Sequence, residues 1–312
     1  MSHKIRQLNP WRKYVFWFLF CFSCLVVAYG NFLATQPFLN GPPLSTKIDH
    51  TVLNLQKPEP KVSALSYLVG ELNSQQILIA KNENLHLFPA SLSKLMTAIL
   101  ALDNLTNNDT IEISSFAVSA EGEEGNLQVG EHFYLEDLLK ILLVTSSNDA
   151  AVAIEEALTK QGKNIVALAE DKTHEFQMGD SAFFDSRGLD RTGNFSTALD
   201  LFKLSQAIYR QYPVIGEITR QPQLTVYSLE GRAHNLVNTN ELVGKIDNLW
   251  GGKTGLTQEA GGCLLTIYEF ASRADSNNKI AIAIIVLNSL DRFNDTIALY
   301  NWVKQTLTAS NF

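Results

Sequence analysis

The sequence predicts an α+β domain in which a five-stranded antiparallel sheet carries helices packed on its faces. Two strand-like runs lie near the start of this domain and three near its end, at residues 63–70, 76–80, 249–254, 263–270 and 280–287. The segments between these two groups have helical patterns. Strands at both ends of a domain with helices between them favour one antiparallel sheet backed by a helical block, in three layers.

An apolar run at residues 14–34 precedes the domain and is predicted to span a membrane once. Roughly 20 apolar residues, at 1.5 Å of helix rise each, cross a hydrocarbon core of ~30 Å. Four basic residues lie within the segment 1–13, and the next one after the run is Lys47. This asymmetry predicts a cytoplasmic N-terminus and places the rest of the chain on the extracytoplasmic side of the cell membrane. A signal peptide cleaved near residues 28–30 is the alternative, and it also predicts export.

Residues 35–61 are predicted to form an extended tether. They contain five prolines and little hydrophobic periodicity, which is typical of a linker. One globular domain is then expected over residues 62–312.

The helical part of the domain begins with residues 89–102, which are apolar on nearly every side and therefore predict a buried helix. Further helices are predicted at residues 135–144, 149–158, 165–175 and 197–209. Ser147 and Ser196 are expected to be N-caps of two of them. A last helix at residues 295–307 places four apolar side chains on one face: Ile297, Leu299, Trp302 and Val303.

Composition excludes several classes of protein. The formal net charge is −7 and no Lys/Arg run is longer than two residues, which argues against a nucleic-acid partner. Two of the three cysteines lie in the apolar run, so no disulfide framework is available. The six histidines show no metal-ligand spacing, and the acidic segment 121–124 is predicted to be a solvated loop. We therefore expect no metal and no other cofactor.

The first segment that carries chemistry is Ser91-Leu-Ser-Lys94, at the start of the buried helix. Residues three apart share a helix face, so the Lys94 amine can reach the Ser91 hydroxyl. A serine needs a base to become a nucleophile at neutral pH, and a desolvated lysine can serve as that base. The N-terminus of the helix adds a field that favours developing negative charge. By itself this tetrapeptide is common, and a capping serine with a surface lysine is the simpler interpretation.

Two further short motifs follow, Ser146-Ser-Asn148 between two helices and Lys253-Thr-Gly255 in a strand. Each is common in isolation. The residues Gly252-Lys-Thr254 do not belong to a phosphate-binding P-loop, because Asp247 stands where that motif requires its first glycine.

In this order and at these separations, the three motifs resemble the signature of penicillin-binding proteins and serine β-lactamases. The surrounding segments narrow the resemblance: residues 88–97, 142–151, 187–190 with 196–198, and 252–261 are similar to D-alanyl-D-alanine carboxypeptidases. These are the low-molecular-mass penicillin-binding proteins that trim bacterial peptidoglycan. The resemblance runs from about residue 62 to Trp302. It implies a β-lactamase/transpeptidase-like fold, peptidoglycan stem peptides as substrates and β-lactams as covalent inhibitors.

The resemblance also implies a role for each motif residue. Ser91 would attack the carbonyl between two D-alanines to give an acyl-enzyme, with Lys94 as its general base. Ser146 would pass the proton to the leaving amine. Asn148 would orient Lys94 and the substrate amide.

The third motif would bind substrate. Lys253 would favour a neutral Lys94 and, with Thr254, attract the substrate carboxylate. The backbone N–H groups of Ser91 and Leu256 would form the oxyanion hole, with Gly255 between the two binding positions on the strand.

Several positions depart from the family pattern. Arg187 and Asn194 stand where histidine is frequent, and Ser147 stands where glycine is usual. Thr239 replaces an arginine that helps to hold the terminal carboxylate. Lys253 and Thr254 would then carry that recognition, joined by Arg292 if the fold brings it near.

Three other activities remain as alternatives. The first is a D,D-endopeptidase that cuts peptidoglycan cross-links, and the second is a catalytically silent peptidoglycan-binding protein. A class A β-lactamase is disfavoured, because the loop at residues 183–194 has Asp190 and Asn194 four apart but no glutamate.

Overall fold

The computed structural model describes residues 58–123, 125–190, 193–271 and 279–309, with side chains up to residue 307. The predicted basic segment 1–13, the apolar run 14–34 and most of the tether 35–61 lie outside these residues. Within the described ranges, no helix combines the length and hydropathy needed to cross a membrane.

The strands are β1 Ser66–Glu71, β2 Ile77–Lys81, β3 Thr110–Glu112, β4 His132–Tyr134, β5 Gln223–Tyr227, β6 Ala233–Val237, β7 Leu249–Thr257, β8 Gly261–Ala271 and β9 Lys279–Ser289. The helices are α1 Ser93–Asn104, α2 Ser115–Val118, α3 Leu135–Val144, α4 Asn148–Lys160, α5 Ile165–Glu175, α6 Ala198–Gln211, α7 Pro213–Thr219 and α8 Arg292–Ala309. A 3-10 turn, Ala90–Leu92, leads into α1.

Five strands form one sheet in the order β2-β1-β9-β8-β7, and every neighbouring pair is antiparallel. The predicted α+β class and the five-stranded antiparallel sheet are therefore confirmed. The register of β1 against β9 pairs Ser66 with Leu287 and Glu71 with Ile282, so the first and last strands lie side by side. The pairing of β1 with β9 therefore holds the two ends of the domain together within one sheet.

Strand β9 shows why helices cover both faces of the sheet. Ile282, Ile284 and Val286 belong to an apolar cluster that includes buried side chains of α8. The alternate residues Ala283 and Ile285 belong to the larger cluster formed with the other helices. Successive strand residues point to opposite faces, so a strand that is apolar at every position requires a cover on each side.

The last helix packs its apolar face on the sheet, as its periodicity predicts. Leu299, Trp302 and Val303 lie in the cluster beneath it. Ile297 is only half-buried and lies outside that cluster, so its placement on the packed face is wrong. The helix also starts earlier than predicted, at Arg292.

The structure corrects one of the two predicted helix caps. Ser147 accepts a hydrogen bond from the Ala150 N–H at 2.9 Å and caps α4 as predicted. Thr197, not Ser196, caps α6. Ser196 is held in an extended bridge with Leu87, which leaves the next residue to begin the helix.

Candidate active site

Ser91 and Lys94 lie together at the junction of the 3-10 turn and α1. The Lys94 Nζ donates a hydrogen bond to the Ser91 Oγ at 2.8 Å, as the spacing of three residues predicts. Ala90, immediately before the serine, has a φ of +50°, in the left-handed region. A non-glycine residue in that region carries about 1–3 kcal/mol of backbone strain, a feature that clusters at functional sites.

Strand β7 passes directly beside this turn. A Cβ atom at Gly255 would lie 2.9 Å from the Ala90 Cβ and 3.1 Å from the Ser91 backbone nitrogen. Only glycine fits at this distance without moving one of the two segments. The third motif is thereby placed against the first.

Burial controls the protonation of Lys94. The side chain has no exposed surface, and its second hydrogen bond goes to the Arg187 carbonyl at 2.9 Å. Loss of water, aided by the charge of the Arg187 guanidinium and opposed by the charges of Asp185 and Glu123, lowers the pKa of Lys94 to about 7. An amine with this pKa is largely neutral near pH 7 and can accept a proton from a neighbouring hydroxyl.

A second lysine–serine pair faces the first. The Lys253 Nζ donates to the Ser146 Oγ at 2.8 Å and to the Thr254 carbonyl at 3.0 Å. Burial, followed by the charges of Lys94 and Arg292, holds the pKa of Lys253 well below its ordinary value. Ser146 has a φ of +63°, so the second motif also contains a left-handed residue. The two hydroxyls therefore each accept a hydrogen bond from a buried amine.

Asn148 lines the cleft but forms no hydrogen bond with Lys94, which is one of the two contacts that the resemblance implies. Its side-chain amide donates to the Glu121 carbonyl at 2.6 Å, and its backbone N–H donates to the Glu123 carbonyl at 2.7 Å. The hydrogen bonds described for Lys94 go to Ser91 and Arg187 instead. Asn148 thus fastens the acidic segment to the edge of the site.

The described part of the acidic segment, residues 121–123, is exposed, as predicted, but it also belongs to the cleft. Gly122 and Glu123 line the same space as Ser91, and the Glu123 charge acts on both buried lysines. The sequence does not predict this placement, because nothing in a run of acidic residues indicates which surface the run borders.

The Thr254 end of β7 has two further polar neighbours. The Thr239 and Thr254 hydroxyls lie 2.6 Å apart. The Arg292 Nη1, at the start of α8, donates to the Gly255 carbonyl at 3.0 Å. The fold thus brings both Thr239 and Arg292 to the motif that is expected to hold the terminal carboxylate.

The loop between α5 and α6 forms one wall of the site. The Asp185 carboxylate accepts hydrogen bonds from the N–H groups of Arg187 and Gly188, at 2.9 and 2.6 Å. Asn194 donates to the Leu189 carbonyl at 2.9 Å and so acts within the loop. Asp190 accepts a hydrogen bond from the Thr257 hydroxyl at 2.7 Å, which engages this carboxylate and ties the loop to β7.

The resulting cleft has a volume of about 510 Å³. Its walls include Ser91, Asn148, Arg187, Leu256 and Thr257, and the Leu256 side chain is 65% exposed. In the parts of the chain that the structure describes, no three His, Cys, Asp or Glu side chains group closely enough to hold a metal ion. The single described cysteine, Cys263, is a buried free thiol.

The model of one protein family, described as D-alanyl-D-alanine carboxypeptidase, matches residues 53–290. The chain belongs to this D-alanyl-D-alanine carboxypeptidase family. The match confirms the family predicted from the three motifs, a class of serine hydrolases, and it includes all eight residues assigned to the site.

Two different activities occur among the names of similar proteins. The chain is 29% identical over 227 residues to the D-alanyl-D-alanine carboxypeptidase DacF of Bacillus subtilis, a match that covers 71% of this chain and 57% of that protein. It is also 29% identical over 260 residues to a D-alanyl-D-alanine endopeptidase of Pseudomonas aeruginosa, covering 79% of each chain.

A solved structure has the same fold. Penicillin-binding protein D2 of Listeria monocytogenes, in its ampicillin-bound form, superposes with a TM-score of 0.67 and 29% identity. The superposition covers 78% of this chain and 98% of that one. It supports the transpeptidase-like architecture predicted for the domain.

Proposed function

We propose that this chain is a serine D,D-carboxypeptidase that removes the terminal D-alanine from peptidoglycan stem peptides. The hydrogen bond between a buried, largely neutral Lys94 and Ser91 carries this proposal. Such a pair supplies a nucleophile and its base in one turn of the chain. The hydrogen-bonded geometry also disfavours a silent binding protein, which would need neither partner.

In the first step Lys94 takes the Ser91 proton while the serine oxygen attacks the carbonyl between the two D-alanines. The Ser91 and Leu256 N–H groups stabilise the oxyanion that develops. Ser146 passes its proton to the leaving amine as the C–N bond breaks, and Lys253, hydrogen-bonded to Ser146, conveys to it the proton that Lys94 took from Ser91. Lys94, neutral again, takes a proton from the water that attacks the acyl carbonyl. It returns this proton to the Ser91 oxygen as the ester bond breaks and the shortened peptide leaves.

We place the terminal carboxylate at the Thr254 end of β7. Arg292 gives this end a positive potential, and the Thr254 hydroxyl offers a hydrogen bond. A β-lactam carries an equivalent carboxylate beside a reactive amide, so we expect it to acylate Ser91.

The experiment that tests this function measures D-alanine released from a muramyl pentapeptide by the full chain, by Ser91→Ala and by Ser119→Ala. Ser119 is an exposed serine outside the cleft and serves as the matched control. We expect release by the wild type and by Ser119→Ala, and none above background by Ser91→Ala. Release by Ser91→Ala at the wild-type rate would refute the proposed nucleophile.

Endopeptidase activity is the second candidate, and Thr239 favours it. An arginine at this position would bind the free terminal carboxylate of a pentapeptide. Without it, the site favours such a peptide less strongly over a cross-link, whose scissile bond is internal. The Pseudomonas aeruginosa relative that is named an endopeptidase matches this chain over 79% of the length of each protein.

We further propose that the apolar run 14–34 anchors the protein in the cell membrane, with the catalytic domain on the extracytoplasmic side. The charge asymmetry around this run supports the orientation. It places the enzyme on the same side of the membrane as peptidoglycan.

A further inference from the structure

Arg187 lines the active-site cleft, and no described side chain forms an ion pair with its guanidinium. Its backbone is fixed on both sides, since the N–H donates to Asp185 and the carbonyl accepts from Lys94. Across the described ranges, no hydrogen bond or ion pair is formed by its guanidinium, and its Nε is buried without an acceptor. A buried donor without an acceptor is unfavourable, so this geometry is typical of a group that waits for a ligand.

The position of Arg187 shows which half of the substrate it faces. Gly255 lies against Ser91, so the residues before and after it on β7 lie on opposite sides of the nucleophile. Arg187 shares its cleft with Leu256 and Thr257, whereas Thr254 and Thr239 lie at the other end. If the leaving D-alanine binds at Thr254, Arg187 faces the acyl half of the peptide.

The charges of this cleft indicate the chemistry of the ligand. An arginine guanidinium binds carboxylates through two parallel hydrogen bonds. Glu123 lines the same cleft and would repel an anion that lacks a compensating positive charge. A side chain with both a carboxylate and an amine satisfies the two residues together.

We propose that Arg187 is a specificity residue that binds the side-chain carboxylate of the third residue of the stem peptide, and that this residue is a diamino dicarboxylic acid such as diaminopimelate. This inference rests on the proposed function, because it assigns the acyl half of the same substrate. Lysine at the third position has the amine but lacks the carboxylate, and it would leave Arg187 without a partner.

The test compares the kcat/KM of D-alanine release from four pentapeptides. They carry diaminopimelate or lysine at the third position, each combined with D-isoglutamate or D-isoglutamine at the second. Because a charge-assisted hydrogen bond is involved, we expect the wild type to prefer diaminopimelate by about ten- to a hundredfold, whichever second residue is present. Arg187→Gln should reduce this preference to about threefold or less, chiefly by slowing the diaminopimelate peptides.

Two variants serve as controls. Arg187→Lys keeps the positive charge but cannot form two parallel hydrogen bonds with a carboxylate. Its preference for diaminopimelate over lysine should therefore lie between those of the wild type and Arg187→Gln. Arg220→Gln removes the same charge from an exposed position at the end of α7 and should keep the wild-type preference.

Acylation by benzylpenicillin shows whether Arg187 acts by binding the substrate or by changing the reactivity of Lys94. The acyl side chain of this drug is neutral, so it offers Arg187 no carboxylate. If Arg187→Gln slows this acylation by the same factor as it slows diaminopimelate peptides, Arg187 acts through Lys94 and the proposal is wrong. A preference that follows isoglutamate instead of diaminopimelate would also overturn it, as would equal rates on all four peptides.

The proposed function and the inference about Arg187 can fail independently of each other. If the wild type released D-alanine from none of the peptides, each peptide would be tested for its ability to slow benzylpenicillin labelling. Stronger protection by the diaminopimelate peptides, lost in Arg187→Gln, would support the inference even then. Equal protection would refute it.

Discussion

At the scale of single residues, Lys94 determines how reactivity depends on pH. Its pKa is lowered to about 7 by burial, so the neutral amine is lost as the pH falls through this value. The acylation rate with benzylpenicillin should therefore decline about tenfold per pH unit below pH 7 and level off above it. Stopped-flow measurement of acylation from pH 5 to 9 tests this. A flat profile would contradict Lys94 as the base.

Substitution of the same residue separates its charge from its basicity. Arginine remains protonated throughout the accessible pH range, so Lys94→Arg should lower the acylation rate by about 10²–10⁴-fold. Lys160→Arg, an exposed change at the end of α4, should have no effect. Acylation of Lys94→Arg at the wild-type rate would require a different base.

Thr239 is expected to set the balance between trimming and cross-link cleavage. An arginine here would add a charge-assisted hydrogen bond to a free terminal carboxylate, an interaction of about 1.5–3 kcal/mol. Thr239→Arg should raise the ratio of carboxypeptidase to endopeptidase activity by roughly one to two powers of ten. Both rates are measured on a pentapeptide and on a cross-linked dimer. An unchanged ratio would show that Thr239 does not control this selectivity.

At the scale of secondary-structure elements, the contact between β7 and the 3-10 turn positions the nucleophile. A methyl group at Gly255 would push on Ala90 and on the Ser91 nitrogen. We expect Gly255→Ala to lower the acylation rate by at least about tenfold, because small displacements of reacting groups are costly. Gly179→Ala, where a Cβ would meet no atom within 4 Å, is the matched control. Equal acylation rates for the two variants would contradict this positioning role.

The same elements show what local sequence can predict. Residues 280–287 are apolar at every position, which predicts a strand covered on both faces, and β9 has this environment. The three-residue strands β3 and β4 are too short to give a pattern of their own. The predicted cap of α6, Ser196, lies one residue before the observed cap. Ser196 and Thr197 are both good caps, and only the long-range bridge from Ser196 to Leu87 decides between them.

At the scale of the whole molecule, the site combines segments that are far apart in the chain. The sequence motifs predict that Ser91, Lys94 and Lys253 belong to the site, because hydroxyl and amine side chains carry the chemistry. The hydrogen bond from Lys94 to the Arg187 carbonyl links residues 93 positions apart and uses a backbone atom that every residue has. No sequence pattern predicts such a contact. The same holds for Glu123, whose place in the cleft depends on how Asn148 fastens the loop.

At the same scale, the predicted membrane span 14–34 is expected to determine where the whole molecule is located. We expect the full chain to sediment with membranes, to resist extraction by high salt and carbonate, and to be released by detergent. Intact mass of the detergent-extracted protein distinguishes an anchor that retains residues 1–34 from a cleaved signal peptide. A soluble product that begins near residue 31 would contradict the anchor.

The most direct test of the proposed chemistry is the site at which benzylpenicillin becomes covalently attached. Intact-mass and peptide-level mass spectrometry are applied to the full chain, to Ser91→Ala and to Ser119→Ala after brief exposure to the drug. We predict one penicilloyl group on the wild type and on Ser119→Ala, mapped to Ser91, and none on Ser91→Ala. An adduct that survives Ser91→Ala, or that maps to another residue in the wild type, would contradict the acyl-enzyme on Ser91.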